Sequence, residues 1–450
     1  MFGAVLVANR GAVAARVIRA LRALRVRSVA VYSDADAELP YLAQADEAHR
    51  IGPGPPRESY LDQDGLLALA ATRRVDAVHP GYGFLSEDAA FARRVTAAGL
   101  AFIGPNPDLI EAMGEKTRAR ALMAAHGLPV AAGSGVLGGD PAEAAAAARR
   151  IGYPVLVKPA GGGGGIGMAV AADEAGLPAA IARARSATSR AFANPAIYLE
   201  RLLQRPRHVE FQVLGDRHGN LRHLFERDCS LQRRHQKVME ESPAPGLGRA
   251  PLDALAGQVA AVLRGLGYDN VGTVEMLRAD DGTYGFLEVN TRLQVEHAVT
   301  EMVTGADLVA GMIGAASGAR LDALLPPVLR RSGHAVEARV CAEDPRRFLP
   351  SPGPLLRFRP PAGSAGLRVE TGYAEGCTVS SFYDPLLAKV IAHAPDRAAA
   401  LDALANALRG FEVSGVKTNI PFLLQALSDA RVRAADLHTS LAEDIAAGRP

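Results

Sequence analysis

Five polar side chains recur at alternate positions late in the chain: Glu288, Asn290, Arg292, Gln294 and Glu296. Between them stand Val289, Thr291, Leu293 and Val295, so an extended segment would aim its polar groups one way and anchor itself with the other face. A carboxylate and an amide two residues apart can share a hard cation through oxygen. Arg292 beside Gln294 suits a small planar anion, because a guanidinium binds two oxygens at once. Glu296 is then placed to act as a base. An amphipathic edge strand with a solvated polar face is the plain alternative. Mixed signs, two amides and a further carboxylate, Glu275 on an expected strand at 273–277, favour chemistry. The chemistry implied is ATP-driven activation of a small oxyacid.

A second signal lies upstream, where Val157-Lys158-Pro159-Ala160 is followed by Gly161 to Gly165 and then Ile166-Gly167-Met168. Glycines let backbone N–H groups approach phosphate oxygens and let a loop open and close. Lys158 can neutralise phosphate charge at the mouth of that loop. No Gly-Lys-Ser/Thr follows, and the loop runs into a strand, so it is neither a P-loop nor a dinucleotide fingerprint. Lys116, Glu200, His208, Gln232, His235 and Lys237 are individually weak signals, since a lone Lys or His is commonly a surface or structural residue.

The elements that must hold these groups can be read from pattern. Residues 5–8, 29–32, 77–78 and 101–103 read as strands, and 12–24, 66–72 and 87–98 as helices. Short buried strands between amphipathic helices imply a parallel, doubly wound sheet, with ligands at the carboxyl ends of its strands. Asn9-Arg10-Gly11 and His79-Pro80-Gly81-Tyr82-Gly83 fall at such ends. A helix at 115–126 leads to strand, glycine loop, strand, helix and strand over 152–200, which suits a small lid. The alanine tract at 142–148 reads as helix. Beyond residue 206, β segments dominate, with helices at 254–266 and 307–316 and Pro-rich turns at 242–245 and 349–354.

A chain of 450 residues should hold roughly three domains. Its formal charge of +2, from 50 basic and 48 acidic residues, gives no global field toward nucleic acid or membrane. Cys229, Cys341 and Cys377 have no paired spacing, which argues against a disulfide framework or zinc site. No apolar run reaches the ~20 residues of a membrane span, and the start lacks the pattern of a signal peptide. A cytoplasmic enzyme is expected.

Together these segments resemble the biotin carboxylase family, over nearly the whole chain. The resemblance rests on Ala8-Asn9-Arg10-Gly11, on His79 through Glu87, on the glycine loop and on Pro206-Arg207-His208-Val209-Glu210. It continues through Arg227 to Lys237, Glu288 to His297, Ala342-Glu343-Asp344-Pro345, Phe382-Tyr383-Asp384-Pro385 and Lys417-Thr418-Asn419. It implies an α/β chain (α+β overall): a Rossmann-like pre-ATP-grasp domain at 1–113, an ATP-grasp domain at 114–320 with a lid at about 130–203, and a mostly antiparallel β domain at 332–445. It further implies that Lys116, Lys158, Gly164, Gly165, Glu200, Arg201, Leu203, His208, Gln232 and His235 surround ATP. Glu275, Glu288 and Asn290 would hold Mg²⁺ or Mn²⁺. Lys237, Arg292, Gln294 and the backbone of Val295 would hold bicarbonate, Glu296 would deprotonate it, and Arg339 would stabilise the biotin enolate. Catalysis would thus fall to Lys237, Arg292, Glu296 and Arg339.

The chain departs from the family pattern at Ala12, Ile166 and Ala298, none of which is an expected catalytic group. At the expected homodimer contact, Arg19 is present, but its acidic partner falls at Ala23 and an aromatic near 363–365 is missing. No biotinylation motif is found, so the expected partners are a biotin carboxyl carrier protein and a carboxyltransferase, in an acetyl-CoA or other acyl-CoA carboxylase. Two rival readings are an ATP-grasp ligase joining a carboxylate to an amine, and a non-catalytic ATP-binding scaffold. The first is opposed by Arg292, Gln294, Glu296 and Arg339, the second by the full set of metal and base residues.

Overall fold

The computed structural model describes residues 1–161, 167–191 and 196–449. Gly164, Gly165 and Ile166 lie outside them. The first unit is a five-stranded parallel sheet of β1 (Ala4–Val7), β2 (Arg27–Ser33), β3 (Glu47–Gly52), β4 (Ala77–His79) and β5 (Ala101–Phe102), in the order β3-β2-β1-β4-β5. The strands alternate with helices as the pattern required, and β3, whose half-buried and exposed positions alternate, is the strand that apolar runs did not reveal. Helix ends follow local capping. Asp88 accepts from the Phe91 N–H at 2.9 Å to start the helix Ala89–Ala97, and Asn106 with Pro107 starts the next, Pro107–Gly114.

The expected lid region is a four-stranded sheet of β6 (Gly133–Val136), β7 (Val155–Pro159), β8 (Ala169–Ala171) and β9 (Ile197–Arg201), ordered β6-β9-β7-β8. The helices Pro141–Ile151 and Leu177–Ala191 accompany it, the former over the alanine tract. Ala144, Ala147, Ala148 and Ile151 pack on Val155, Val157 and Leu199 to form its own small core.

The rest is built around one eight-stranded antiparallel sheet. Its strands are β10 (Arg207–Gly215), β11 (Leu221–Arg233), β12 (Gln236–Ser242), β13 (Val271–Arg278) and β14 (Tyr284–Asn290), joined by β15 (His334–Cys341) and by two strands from nearer the carboxyl end. Short strands β16 (Gly353–Pro354) and β17 (Arg357–Arg359) precede β18 (Leu367–Thr371); β19 (Thr378–Val379), β20 (Leu386–Ala394) and β21 (Glu412–Ser414) follow. The order is β14-β13-β10-β11-β12-β15-β20-β18, so the pairing of β12 with β15 carries one sheet from the middle of the chain into its carboxyl-terminal third. One face is sealed by the helix Arg249–Gly265, whose Leu252, Ala256, Val259 and Leu263 are buried with Val209, Phe211 and Val274.

Among the described residues no single helix is long and apolar enough to cross a membrane. The helices His297–Thr304 and Leu308–Ala316 have the length and composition together, but they meet at 99° and their residues are mostly buried.

Candidate active site

Period-two geometry on four neighbouring strands lines up a row of charged side chains. Glu288 on β14 stands opposite Glu275 on β13, Glu275 opposite Glu210 on β10, and Glu210 opposite Arg227 on β11. Directly opposed residues share a face of the sheet with Cβ atoms about 5 Å apart, so three carboxylates in a row repel unless cations separate them. Two cations do so, Arg227 within the row and Lys237 from β12 beside it. Lys237 Nζ lies 2.6 Å from Glu210 Oε2, 2.8 Å from Glu275 Oε1 and 2.6 Å from Glu296 Oε1. Arg227, fully buried, donates from Nε to Glu210 at 2.6 Å and from its other nitrogens to Gln212, Thr273 and Thr300. Burial opposes the lysine's charge, yet the surrounding carboxylates raise its pKa well above the ordinary value.

The segment after Asn290 corrects one expectation. The strand β14 ends at Asn290, and residues 291–296 form a loop that turns into the helix His297–Thr304. Alternation therefore holds only to the end of the strand. The side chains converge all the same, because Leu293 is wholly buried and Arg292 is tied down on three sides. Its Nε donates to Glu87 at 2.7 Å, and its terminal nitrogens donate to Gln294 Oε1 at 2.9 Å and Asn290 Oδ1 at 2.8 Å. Gln294 and Asn290 each donate to Glu275 Oε1 at 2.9 Å. The Val295 carbonyl accepts from Lys389 Nζ at 2.5 Å.

Glu296 is fully buried between two cations: Lys237 on Oε1, and Arg339 on Oε2 at 3.0 Å. Burial alone would favour the neutral carboxyl, but Lys237 and then Arg339 overcome it, although Glu210 opposes, and hold the pKa below the usual carboxylate value. The group is thus ionised and able to take a proton. Arg339 is itself fixed by Glu240, whose Oε1 accepts from its Nε at 2.6 Å.

A second constellation faces the lid. Lys158 Nζ sits 2.7 Å from Glu200 Oε2, while Arg120 donates to Glu200 Oε1 at 2.6 Å. Lys116, whose N–H donates to the Ala160 carbonyl, pairs with Glu288 Oε2 at 2.8 Å. Burial lowers the Lys158 pKa and nearby Lys116 adds to this, against the pull of Glu200. His208 Nδ1 is 2.8 Å from the Gln232 amide, and its Nε2 is 3.1 Å from Glu275 Oε2. His235, in the two-residue turn between β11 and β12, and Arg201 at the end of β9 are exposed, and Leu203 is half-buried; none of the three joins the carboxylate row.

For a divalent cation, the donor set is the test. Glu275 and Glu288 are register neighbours, the Asn290 amide touches Glu275, and each carboxylate has a lysine ammonium as its counter-ion. Hard oxygens in this arrangement fit Mg²⁺ or Mn²⁺. Glu210, Glu87, Glu240 and Lys389 are among the site residues to which sequence reading gave no role. Glu210 carried a signal, since it alternates with His208 on one strand; the others become visible only when distant elements meet.

Comparisons with known proteins identify the family. Residues 1–110 match the biotin carboxylase N-terminal domain, 115–324 the ATP binding domain of the carbamoyl-phosphate synthase L chain, and 337–444 the biotin carboxylase C-terminal domain. The chain is 44% identical over 440 residues to the biotin carboxylase of Halalkalibacterium halodurans, covering 98% of this chain and 97% of that protein. It is 46% identical over 432 residues to the biotin carboxylase of Pseudomonas aeruginosa, covering 96% and 95% respectively. The crystal structure of the biotin carboxylase domain dimer of Hydrogenobacter thermophilus 2-oxoglutarate carboxylase, in complex with MgADP, ADP and bicarbonate, superposes with a TM-score of 0.95 at 40% identity, covering 99% of both chains. Matched by the family's amino- and carboxyl-terminal domains and 44% identical to a biotin carboxylase over 98% of its length, the chain belongs to the biotin carboxylase family.

Proposed function

We propose that this chain carboxylates biotin with bicarbonate at the expense of ATP, using the residues gathered around Glu296. The observation that carries the reading is Glu296 itself: an ionised, buried carboxylate held between Lys237 and Arg339 and next to Arg292 and Gln294. Bicarbonate binds to Lys237, Arg292, Gln294 and the Val295 main chain, and gives its proton to Glu296. Its oxygen attacks the γ-phosphorus of ATP, the bond to the bridging oxygen breaks, and ADP leaves with carboxyphosphate formed. Carboxyphosphate splits into CO₂ and phosphate; phosphate takes the ureido proton of biotin, and the nitrogen attacks CO₂. Arg339 faces the oxygen on which charge then develops. Lys116, Lys158, Glu200, Arg201, Leu203, His208, Gln232 and His235 belong to the ATP site, to which the family resemblance adds Gly164 and Gly165. Glu275, Glu288 and Asn290 would hold Mg²⁺, which supplies charge neutralisation on the phosphate oxygens.

Biotin arrives on a carrier protein and leaves for a carboxyltransferase, in a cytosolic acyl-CoA carboxylase; pairing of two copies of the chain suits the dimeric form of the H. thermophilus relative. The units 1–113, 114–320 and 332–445 divide the labour as nucleotide-edge, ATP-grasp and biotin-facing parts. The test is bicarbonate-dependent ADP release with and without free biotin, in the native chain and in Arg339→Ala. Stimulation by biotin that Arg339→Ala abolishes supports the reading. ADP release indifferent to biotin, or dependent on an amino acid in place of bicarbonate, sinks it.

A further inference from the structure

Behind Arg339 lies a pair of carboxyl groups that the reaction above does not use. Glu240 on β12 and Glu337 on β15 are directly opposed in an antiparallel pair, 1% and 0% exposed. Opposed positions share one face, which brings two acids together inside the protein. Among the described residues, three of their four oxygens have no hydrogen-bond donor: Glu240 Oε2 and both oxygens of Glu337. The nearby cations are already engaged. Arg339 divides its charge between Glu240 Oε1 and Glu296 Oε2. Lys389 lies 3.8 Å from Glu337 but 2.7 Å from Glu370, and its ammonium also donates to the Val295 carbonyl.

Two bare carboxylates directly opposed in one strand pair with so few donors repel strongly and are costly to bury. A single proton resolves both problems at once, because a carboxyl O–H on one group satisfies an orphaned oxygen on the other. We propose that Glu240 and Glu337 share one proton at neutral pH and that this pair is the positioning element for Arg339. The inference rests on Arg339 being the residue that meets biotin. With the proton on Glu337, Glu240 is ionised and held at both oxygens, by Arg339 on one side and by the Glu337 O–H on the other. The guanidinium plane is then fixed, its Nε and Nη2 on Glu240 Oε1 and Nη2 also on Glu296 Oε2, in the orientation from which it meets the biotin oxygen. Loss of the proton creates a dianion that draws Arg339 back toward the strand.

The charged groups facing the pair from each packed element agree with one retained proton. Glu240 is faced by Arg339, Glu296, Lys237 and Glu337; Glu337 is faced by Lys389, Arg339 and Glu370, with Tyr82 approaching from the amino-terminal unit. Burial, with Glu296 adding and Arg339 opposing, pushes the Glu240 carboxyl up to about 7; burial and Glu240 raise Glu337 well above the usual value against Lys389.

Infrared difference spectroscopy of the intact chain tests this directly. A protonated-carboxyl C=O band at neutral pH should vanish in Glu337→Gln and shift in Glu240→Gln, which removes the partner of its O–H. Its absence from the native chain, or its survival in both variants, overturns the proposal. The kinetic arm follows kcat for biotin-dependent ADP release against pH. Glu337→Gln, permanently neutral, should move the alkaline limb upward, whereas Glu240→Gln, which loses the anchor, should lower kcat about a hundredfold at every pH. A purely packing role would lower Tm in both and leave the limb in place. If the native chain shows no biotin-dependent turnover, the reading of Arg339 fails instead, and the infrared band still decides whether the proton is shared.

Discussion

Glu296 is the residue on which the two proposed chemistries meet, since its oxygens face Lys237, proposed to hold bicarbonate, on one side and Arg339, proposed to meet biotin, on the other. Replacing it by Gln keeps the shape and removes the base, so bicarbonate-dependent ADP release should fall about 10²–10⁴-fold, measured in a coupled assay. Retention of native turnover would assign the base elsewhere. A separate residue sets acid sensitivity. His79, wholly buried with its Nδ1 accepting from the Gly81 N–H at 3.0 Å, is pushed down to about 3 by burial and by Arg16. The unfolded imidazole takes a proton near 6.5, so stability falls as pH drops from about 6.5 toward 3 and is unaffected above that window. In His79→Asn the decline of Tm between pH 7 and pH 5 should be shallower; an identical decline counts against this origin. Arg292, Gln294 and Glu296 were legible because they crowd into one short segment. Glu87 and Glu240 were not, since each is an ordinary glutamate until its arginine arrives from 205 or 99 positions away.

At the scale of elements, alternation located the strands well and misjudged where one stops. Nothing in Thr291 or Arg292 breaks the period; the chain leaves the sheet there because Glu87, from another unit, takes both the Thr291 N–H and the Arg292 side chain. The hairpin between β11 and β12 was hidden for a different reason. Its two turn residues, Arg234 and His235, both adopt positive φ, 50° and 64°, a backbone state that usually selects Gly or Asn. Glycine carries the opposite lesson where elements cross. A Cβ on Gly372 would lie 2.3 Å from the Gly11 carbonyl carbon, at the start of the helix Gly11–Ala23. Gly372→Ala should therefore cost about 1–3 kcal/mol and lower Tm by forcing the amino-terminal unit off the strand β18. An unchanged Tm would mean that the two backbones can part there without loss.

Over the whole molecule, the doubly wound first unit, the lid and the β-rich remainder were readable from the pattern of strands and helices, while the three-part division came with the family resemblance. The seam between β12 and β15 was not readable, since nothing in either strand names its neighbour. That seam binds the carboxyl-terminal third to the middle of the chain through four register pairs, from Met239 with Ala338 to Ser242 with Ala335. A chain cut after Leu325 would leave β12 as a bare, largely buried edge, and should aggregate under conditions where the full chain stays in solution. A well-behaved truncated monomer would refute this. The seam also sets a rule for exchanging segments between relatives. A graft at β15 that slips by a single residue turns Arg339 to the opposite face of the sheet, with fold and composition nearly intact. Strand register at one pair of strands thus has the standing of a catalytic residue, and a chimera can be well folded yet inert for that reason alone.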